Sequence, residues 1–197
     1  MKTFFLRNTW LLGAIALSLV CDASVWAHTA PVPLETTTQV GATAIVYKGP
    51  QVNLALSYRF AKNNPDANWL FLDTVMTATS DPLEIPRSAI SVRTPSGDIV
   101  PLATEKEFNV AYPELASSIM RANAFREPMG YLLPHRPRQM RLFSVAGRHL
   151  AFDTVWLDLW HNDYGRLYFQ VPGGVHKGRY ELLITLPESR VVIPFVV

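Results

Sequence analysis

Short apolar runs separated by turn residues constrain the fold of this chain more than any other feature. Residues 52–60 place Val52, Leu54 and Leu56 on one face, an alternation that predicts a half-buried strand. Further strands are predicted at residues 41–47, 69–79, 89–94, 99–102, 140–145, 154–160, 166–171, 179–186 and 190–197. Many short strands with glycine- and proline-rich turns predict an all-β fold, an antiparallel β-sandwich over residues 39–197.

One segment interrupts the strand pattern. Thr104 and Glu107 have the spacing of a capping box, which predicts that a helix begins there. The helical insert covers about residues 104–123, and it contains Pro113, which does not fit the middle of a helix. We therefore expect two short helices in this insert instead of one long helix.

The first residues have the pattern of an export signal. A basic start at Lys2 and Arg7 precedes the apolar run 10–20, which is shorter than the roughly 20 residues that span a bilayer. Small residues before a cut after Ala27 fit cleavage by a signal peptidase. We therefore predict a signal peptide at residues 1–27 and a mature protein that is periplasmic or secreted.

Cys21 offers a second processing route. Cleavage before this cysteine with attachment of lipid would make a lipoprotein, although Val20 occupies a position where such signals prefer a small residue. Cys21 is the only cysteine, so a chain cut after Ala27 has no disulfide and no thiolate ligand. That chain begins with His28, and residues 28–38 are expected to form an extended N-terminal segment.

The net charge of the chain argues against nucleic acid as a partner, and the lengths of its apolar runs argue against a membrane anchor. The formal net charge of +2 is close to balance, and the basic stripe that nucleic acid requires is absent. The basic stretch at residues 135–141 is interpreted as a solvated loop. After the signal peptide, no apolar run is long enough to anchor the chain in a membrane, so we expect no transmembrane segment.

Two stretches carry a resemblance to known domains. Residues 68–102 combine a hydrophobic strand, an SDPLEI turn and a strand with a PSGD turn, and they resemble the first half of immunoglobulin-like extracytoplasmic domains of bacteria. Residues 164–188, which begin YGRLYFQVPGG, are similar to the closing hairpin of uncharacterised secreted bacterial proteins. The resemblance implies an immunoglobulin-like sandwich, and because its motifs are structural it implies no activity.

Histidines near acidic residues define one candidate metal site. An N-terminal His28 can hold copper through its amine and its ring, with His161 and Asp163 as further ligands. Residues 158–171 resemble a region of small periplasmic copper carriers, which are β-sandwiches with an N-terminal histidine and an Asp-x-His pair. Here the order is reversed; in a regular strand His161 and Asp163 share a face, and Asp158 faces away. The alternative is a solvent-exposed His28 without a metal.

An aromatic face on the strand predicted at residues 154–160 is a candidate binding surface. Trp156 and Trp160 flank Asp158 on this face, and Tyr164 follows closely. Aromatic rings of this kind can stack on a sugar or pack against a protein. The alternative is that the helical insert covers the face, in which case the tryptophans belong to the core and Asp158 needs a partner such as an arginine.

The crossover at residues 129–141 is a second candidate surface. It contains apolar side chains, Met129 and Tyr131 among them, in a predicted loop. Exposed apolar side chains are unfavourable in a loop unless something covers them. We therefore expect a partner to bind at Met129 and Tyr131 or at the tryptophan-bearing face.

The sequence contains no motif that indicates catalysis. No serine has the context of a nucleophile elbow, and no His-Glu-x-x-His motif occurs. We therefore predict no catalytic residue, no cofactor other than the possible copper, and a non-catalytic accessory or interaction domain whose partner is an envelope protein. A periplasmic copper-binding protein that uses His28 and a carbohydrate-binding module are the two alternatives.

Overall fold

Strands dominate the computed structural model, which describes residues 35–65, 67–133 and 135–197. The strands are β1 (Thr36–Val40), β2 (Ala44–Lys48), β3 (Val52–Ser57), β4 (Trp69–Ala78), β5 (Leu83–Pro86), β6 (Ile90–Arg93), β7 (Ile99–Pro101), β8 (Arg136–Gln139), β9 (Thr154–Leu157), β10 (His161–Gln170), β11 (Arg179–Thr185) and β12 (Arg190–Val196). The α-helices are α1 (Arg59–Asn63) and α2 (Glu105–Ala124). The predicted signal peptide, the lipidation site at Cys21 and the candidate ligand His28 lie outside the described residues.

The strands form three sheets. A six-stranded sheet has the order β1-β2-β3-β4-β10-β8, a four-stranded sheet has the order β12-β11-β6-β7, and β5 pairs with β9. The chain is mostly β with several antiparallel sheets, in agreement with the predicted all-β class. One pairing departs from the predicted antiparallel arrangement, because β8 lies parallel to β10. The described part of the predicted extended segment 28–38 contributes to β1, which pairs with β2.

Alternation along the strands directs one face of each large sheet into a shared core. Leu70, Leu72 and Met76 of β4 belong to the same buried cluster as Leu182 and Ile184 of β11. Each fully buried side chain of this size stabilises the fold by about 1.5–3 kcal/mol relative to exposure. The six-stranded and four-stranded sheets therefore pack against each other through this core. The face of the six-stranded sheet that points away from the core is called the outer face below.

The strand β4 is buried at every position. It lies between β3 and β10, as predicted for the central strand, and both of its faces are covered. On the outer face, Phe71 packs in a cluster with Phe108 of α2, and Val75 packs in a cluster with Met129 of the segment that follows α2. The helix and the crossover are therefore the outer layer of the domain.

The helical insert is one continuous helix, α2. The hydroxyl of Thr104 accepts the N–H of Glu107 at 3.1 Å, and the Glu107 carboxylate accepts the N–H of Thr104 at 2.8 Å, which confirms the capping box. The predicted break at Pro113 is wrong, since the proline lies inside the helix. Phe108 and Leu115 lie on either side of Pro113 and belong to one apolar cluster, so packing holds both halves of the helix on the sheet.

The predicted strand at residues 52–60 ends at Ser57 and continues as α1. In an extended strand Phe60 would share a face with Leu54 and Leu56, which point into the core between the sheets. The helical turn of α1 instead brings Phe60 to the outer face, where its ring stacks on Phe71 with centroids 5.0 Å apart. Packing of this aromatic pair overrides the local alternation.

The strand predicted at residues 140–145 is wrong. The strand in this part of the chain is β8, and the segment after it is irregular. Its backbone groups have separate partners instead: the N–H of Met140 donates to the carbonyl of Tyr164, the carbonyl of Arg141 accepts the N–H of Phe152, and the carbonyl of Leu142 accepts from the guanidinium of Arg87. These contacts satisfy the backbone without a sheet ladder. Within the described residues, no helix combines the length and the apolar character needed to cross a membrane.

Replacing Pro113 with alanine is expected to stabilise the fold by about 1–3 kcal/mol, because the change restores a backbone donor and removes a ring clash inside α2. Urea denaturation measures the free energy of unfolding. Glu114→Ala, at the neighbouring exposed position, is the matched control and is expected to change stability by less than about 0.5 kcal/mol. A Pro113→Ala protein that is less stable than the wild type would contradict the account of α2 given above.

Candidate functional site

Two exposed tryptophans lie beside the turn from β9 to β10. Trp156 is 62% exposed and Trp160 is 66% exposed. Val155 and Leu157 are buried, so the alternation along β9 places Trp156 on the opposite face, as predicted, and this face is exposed. The alternative in which the helical insert covers this face is wrong, because α2 packs on a different aromatic cluster of the outer face. Trp156 and Trp160 are called the tryptophan surface below.

Asp158 organises the turn between the two tryptophans. One carboxylate oxygen, Oδ1, accepts the N–H groups of Trp160 and His161, both at 2.8 Å. The other, Oδ2, lies 2.8 Å from Nδ1 of His161. The predicted separation of Asp158 from His161 does not occur, because the chain leaves the strand conformation at Asp158 and turns back. The carboxylate therefore fixes the main chain on which Trp160 is mounted.

The surroundings of Asp158 keep it ionised. Burial raises the pKa of this carboxyl, but the hydrogen bonds from the Trp160 N–H and from His161, together with the charge of Arg138, outweigh burial and lower the pKa from 3.8 to about 2. Asp158 is therefore negatively charged at neutral pH. The sequence analysis expected an arginine partner for this residue, and Arg138 is that arginine.

Arg138 joins two carboxylates. Its Nε and Nη2 donate to the two oxygens of Asp163, each at 2.7 Å, and its Nη1 donates to Asp158 at 2.8 Å. Asp163 is only 3% exposed, and the register of β8 against β10 places it directly opposite Arg138. Two parallel N–H···O bonds of this kind are among the stronger polar contacts in proteins. The interpretation of residues 135–141 as a solvated loop is wrong at this arginine.

The tryptophan surface is attached to these charged residues through its main chain. Arg138 Nη2 donates to the carbonyl of Trp156 at 2.6 Å, and the N–H of Trp160 is held by Asp158. Arg138, Asp158, His161 and Asp163 are called the Arg138 cluster below. The cluster holds the backbone of both tryptophans by hydrogen bonds while their side chains are exposed to solvent.

The predicted metal ligands have other partners in the described part of the chain. Both oxygens of Asp163 accept from Arg138, and Nδ1 of His161 faces Asp158. Among the described residues, no group of three or more His, Cys, Asp or Glu side chains is arranged to hold a metal ion. His28 lies outside those residues, so a copper site at His28, His161 and Asp163 stays a prediction.

The crossover residues separate into buried and exposed members. Met129 is 3% exposed and packs with Val75 and Leu133, which corrects the expectation that it lies on the surface. Its side chain is needed to cover the outer face of the sheet. Tyr131 is 70% exposed, as expected for a binding residue. Tyr164 is half-buried on the outer face, because residues 163 and 164 of β10 point to opposite sides of the sheet.

The crossover and the tryptophan surface are neighbours. The N–H of Arg136 donates to the carbonyl of Trp160 at 3.3 Å. The side-chain amide of Asn162 donates to the carbonyls of Leu133 and His135, the latter at 3.2 Å. These bonds attach the crossover to the start of β10. The two surfaces that the sequence proposed separately therefore meet at Trp160.

Sequence reasoning missed Arg138 as an organising residue. The need of Asp158 for an arginine was visible in the sequence, but the identity of that arginine depends on the parallel pairing of β8 with β10. A parallel pair brings together residues from distant parts of the chain, and local patterns do not report it.

Comparison with models of protein families, with curated proteins and with solved structures finds no significant match to this chain. Functional conclusions about it therefore depend on the geometry of its own residues.

Replacing Arg138 with methionine is expected to destabilise the protein by about 3–5 kcal/mol, because the buried Asp163 carboxylate loses its partner. Urea denaturation at neutral pH measures the loss. Arg136→Met, an exposed position on the same strand, is the control and is expected to change stability by less than about 0.5 kcal/mol. Adding Asp163→Asn to Arg138→Met is expected to recover much of the loss. If Arg138→Met and Arg136→Met had the same free energy of unfolding, the organising role of Arg138 would be refuted.

Proposed function

We propose that this chain is a non-catalytic interaction domain of the bacterial periplasm or cell envelope, and that an envelope protein binds its tryptophan surface. The observation that carries the proposal is the exposure of Trp156 and Trp160 above a fixed main chain. Tryptophan is enriched among the residues that dominate binding energy in protein interfaces. The signal-peptide pattern at residues 1–27 supports export, with lipidation at Cys21 as the alternative route.

The Arg138 cluster supports a binding role for the tryptophans. Association is weakened when flexible groups have to be ordered, so a surface whose backbone is already fixed binds more tightly. Here Arg138 fixes the carbonyl of Trp156, and Asp158 fixes the N–H of Trp160. A partner therefore has to order only the two indole side chains.

Further exposed apolar residues precede β9. Leu150 is 77% exposed and Phe152 is 51% exposed. The N–H of Phe152 donates to the carbonyl of Arg141 at 2.7 Å, so this exposed ring is mounted on a bonded main chain. Apolar side chains grouped on a surface mark sites of contact with other proteins. We therefore include Leu150 and Phe152 among the candidate contact residues.

The finer fold assignment is part of the same proposal. We infer an immunoglobulin-like sandwich from the two large sheets with a shared core and from the motifs in residues 68–102. The parallel strand β8 is an addition to the usual antiparallel pattern.

Site-specific photocrosslinking in cells tests the protein partner. A photoreactive residue in place of Glu84, which is exposed and lies opposite Trp156 in the β5–β9 pair, keeps both tryptophans and is expected to give one discrete adduct. The same residue in place of Val192, which is also exposed but on β12, is expected to give none. Trp160→Ala is expected to weaken the interaction by about tenfold or more. Because Trp160 is exposed, that variant should unfold within about 0.5 kcal/mol of the wild type.

The crosslinking experiment can also reject the tryptophan surface as a site of protein contact. Identical adducts at positions 84 and 192, or no adduct at position 84, would show that the tryptophan surface is not a site of protein contact. A discrete adduct at position 84 that keeps its wild-type yield in Trp160→Ala would reject Trp160 as a contact residue.

A carbohydrate-binding module is the second candidate, and the pair of exposed indoles favours it. Indole rings pack well against the apolar face of a sugar ring. However, Asp158 is already bonded to Trp160, His161 and Arg138, so a sugar hydroxyl would compete with these contacts for the carboxylate. This competition is why protein binding is preferred here.

Tryptophan fluorescence distinguishes the sugar-binding candidate. If glycans bind, soluble envelope glycans are expected to shift the emission in a saturable way. Trp156→Ala should then reduce the affinity by about tenfold or more, and Trp156→Phe should keep part of it because an aromatic face remains. An emission spectrum that no glycan of a broad panel changes would reject this candidate.

A further inference from the structure

A cationic cleft lies between α2 and the outer face of β10. Its volume is about 370 Å³, and its walls include Arg126, Arg148 and Arg166. Asp73 is the only carboxylate among the described residues that line it. The cleft therefore has an excess of two positive charges, and an anion is the ligand that this charge favours.

Asp73 and Arg166 already satisfy each other. Nε and Nη2 of Arg166 donate to the two Asp73 oxygens at 2.9 and 3.2 Å, and both side chains are nearly buried. Nη1 of Arg166 donates to Asn123 at 3.0 Å. All three guanidinium nitrogens of Arg166 are thus engaged. The unbalanced charge of the cleft belongs to the other two arginines.

Arg126 and Arg148 are available to a ligand. Nε of Arg126 lies 3.7 Å from Asp73, a long contact to a carboxylate that Arg166 already holds, and its side chain is 38% exposed. Arg148 is exposed and makes no ion pair with any residue in the described part of the chain. Two guanidinium groups beside one cleft suit a carboxylate, which accepts paired N–H donors.

An apolar cavity adjoins the cationic cleft. Its volume is about 500 Å³, and Arg126 and Tyr164 line both spaces. The guanidinium of Arg126 lies 5.3 Å from the centroid of the Tyr164 ring. Both volumes fall in the range of small-molecule sites. The other apolar residues of this cavity are Val75, Pro128, Met129 and Pro137. Glu127 also lines it, and its carboxylate accepts from the hydroxyls of Thr43 and Ser57.

We propose that the two spaces together bind an amphipathic carboxylate of the fatty-acid class. The carboxylate lies between Arg126 and Arg148, and the apolar chain lies along Tyr164 in the apolar cavity. The charge of the cleft and the apolar lining of the neighbouring cavity match the two ends of such a molecule. This site is separate from the tryptophan surface, so the two proposals succeed or fail independently.

Isothermal titration of the full domain with decanoate tests the proposal. Decanoate is expected to bind one molecule per chain, and decanol and acetate, which each lack one half of the ligand, are expected to bind about tenfold more weakly or worse. Arg148→Gln is expected to weaken decanoate binding by about tenfold. Arg121→Gln removes the same charge from α2 outside both spaces and should leave the affinity unchanged.

A second variant tests the apolar end. A Cβ atom at Gly130 would meet no atom within 4 Å, and the backbone there does not require glycine, so Gly130→Trp is expected to fold. Since Gly130 lines the apolar cavity, the indole should block it and weaken decanoate binding by about tenfold or more. Trp156→Ala should bind decanoate as the wild type does.

Three results would each overturn the proposal. They are the absence of saturable decanoate binding, equal loss of affinity in Arg148→Gln and Arg121→Gln, and acetate or decanol affinities that equal that of decanoate. Acetate binding as tightly as decanoate would indicate a plain anion site, and decanol binding as tightly would indicate a plain apolar one.

Discussion

Complete burial of β4 determines the architecture of this domain. A strand that is buried on both faces needs a cover on each side of its sheet, and here the four-stranded sheet covers one side. The other side is covered by α2 and by the crossover with Met129. The need for this outer layer explains why α2 continues through Pro113, since Phe108 and Leu115 must both reach the sheet.

The features that sequence reasoning predicted correctly are those with local causes. The capping box of Thr104 and Glu107, the buried strand β4 and the placement of Trp156 on the face opposite Val155 and Leu157 all follow from residues close together in the chain. The features that it missed depend on distant partners. Phe60 leaves its strand because of Phe71, and β8 forms because β10 is available beside it.

The candidate site shows the same division. The tryptophans and Asp158 were visible as a pattern in β9, but their exposure depends on where α2 packs, and no local pattern reports that. The two cavities of the outer face were not predicted at all. Their walls combine residues of β4, α2, the crossover and β10, which only the folded chain brings together.

Arginine side chains connect segments that are far apart in the sequence. Arg138 joins β8 to β10 and to the turn before it, Arg166 joins β10 to β4, and Arg87 donates to the carbonyls of Ala103 and Phe152. Cys21 is the only cysteine of the chain, so no intramolecular disulfide can make such links. Polar side chains with several donors take this role, because one guanidinium can satisfy three or more acceptors at once.

The edges of the two large sheets have a consequence for self-association. A free edge strand offers unpaired donors and acceptors to another chain, and proline interrupts that row because it has no N–H. Three of the four edge strands contain a proline, Pro137 in β8, Pro101 in β7 and Pro194 in β12. Only β1 lacks one, and its residues Thr36, Thr37 and Thr38 are exposed and polar. Fibre-like growth by strand addition is therefore obstructed on most sides of the domain, and β1 is the edge where copies of the chain can still pair.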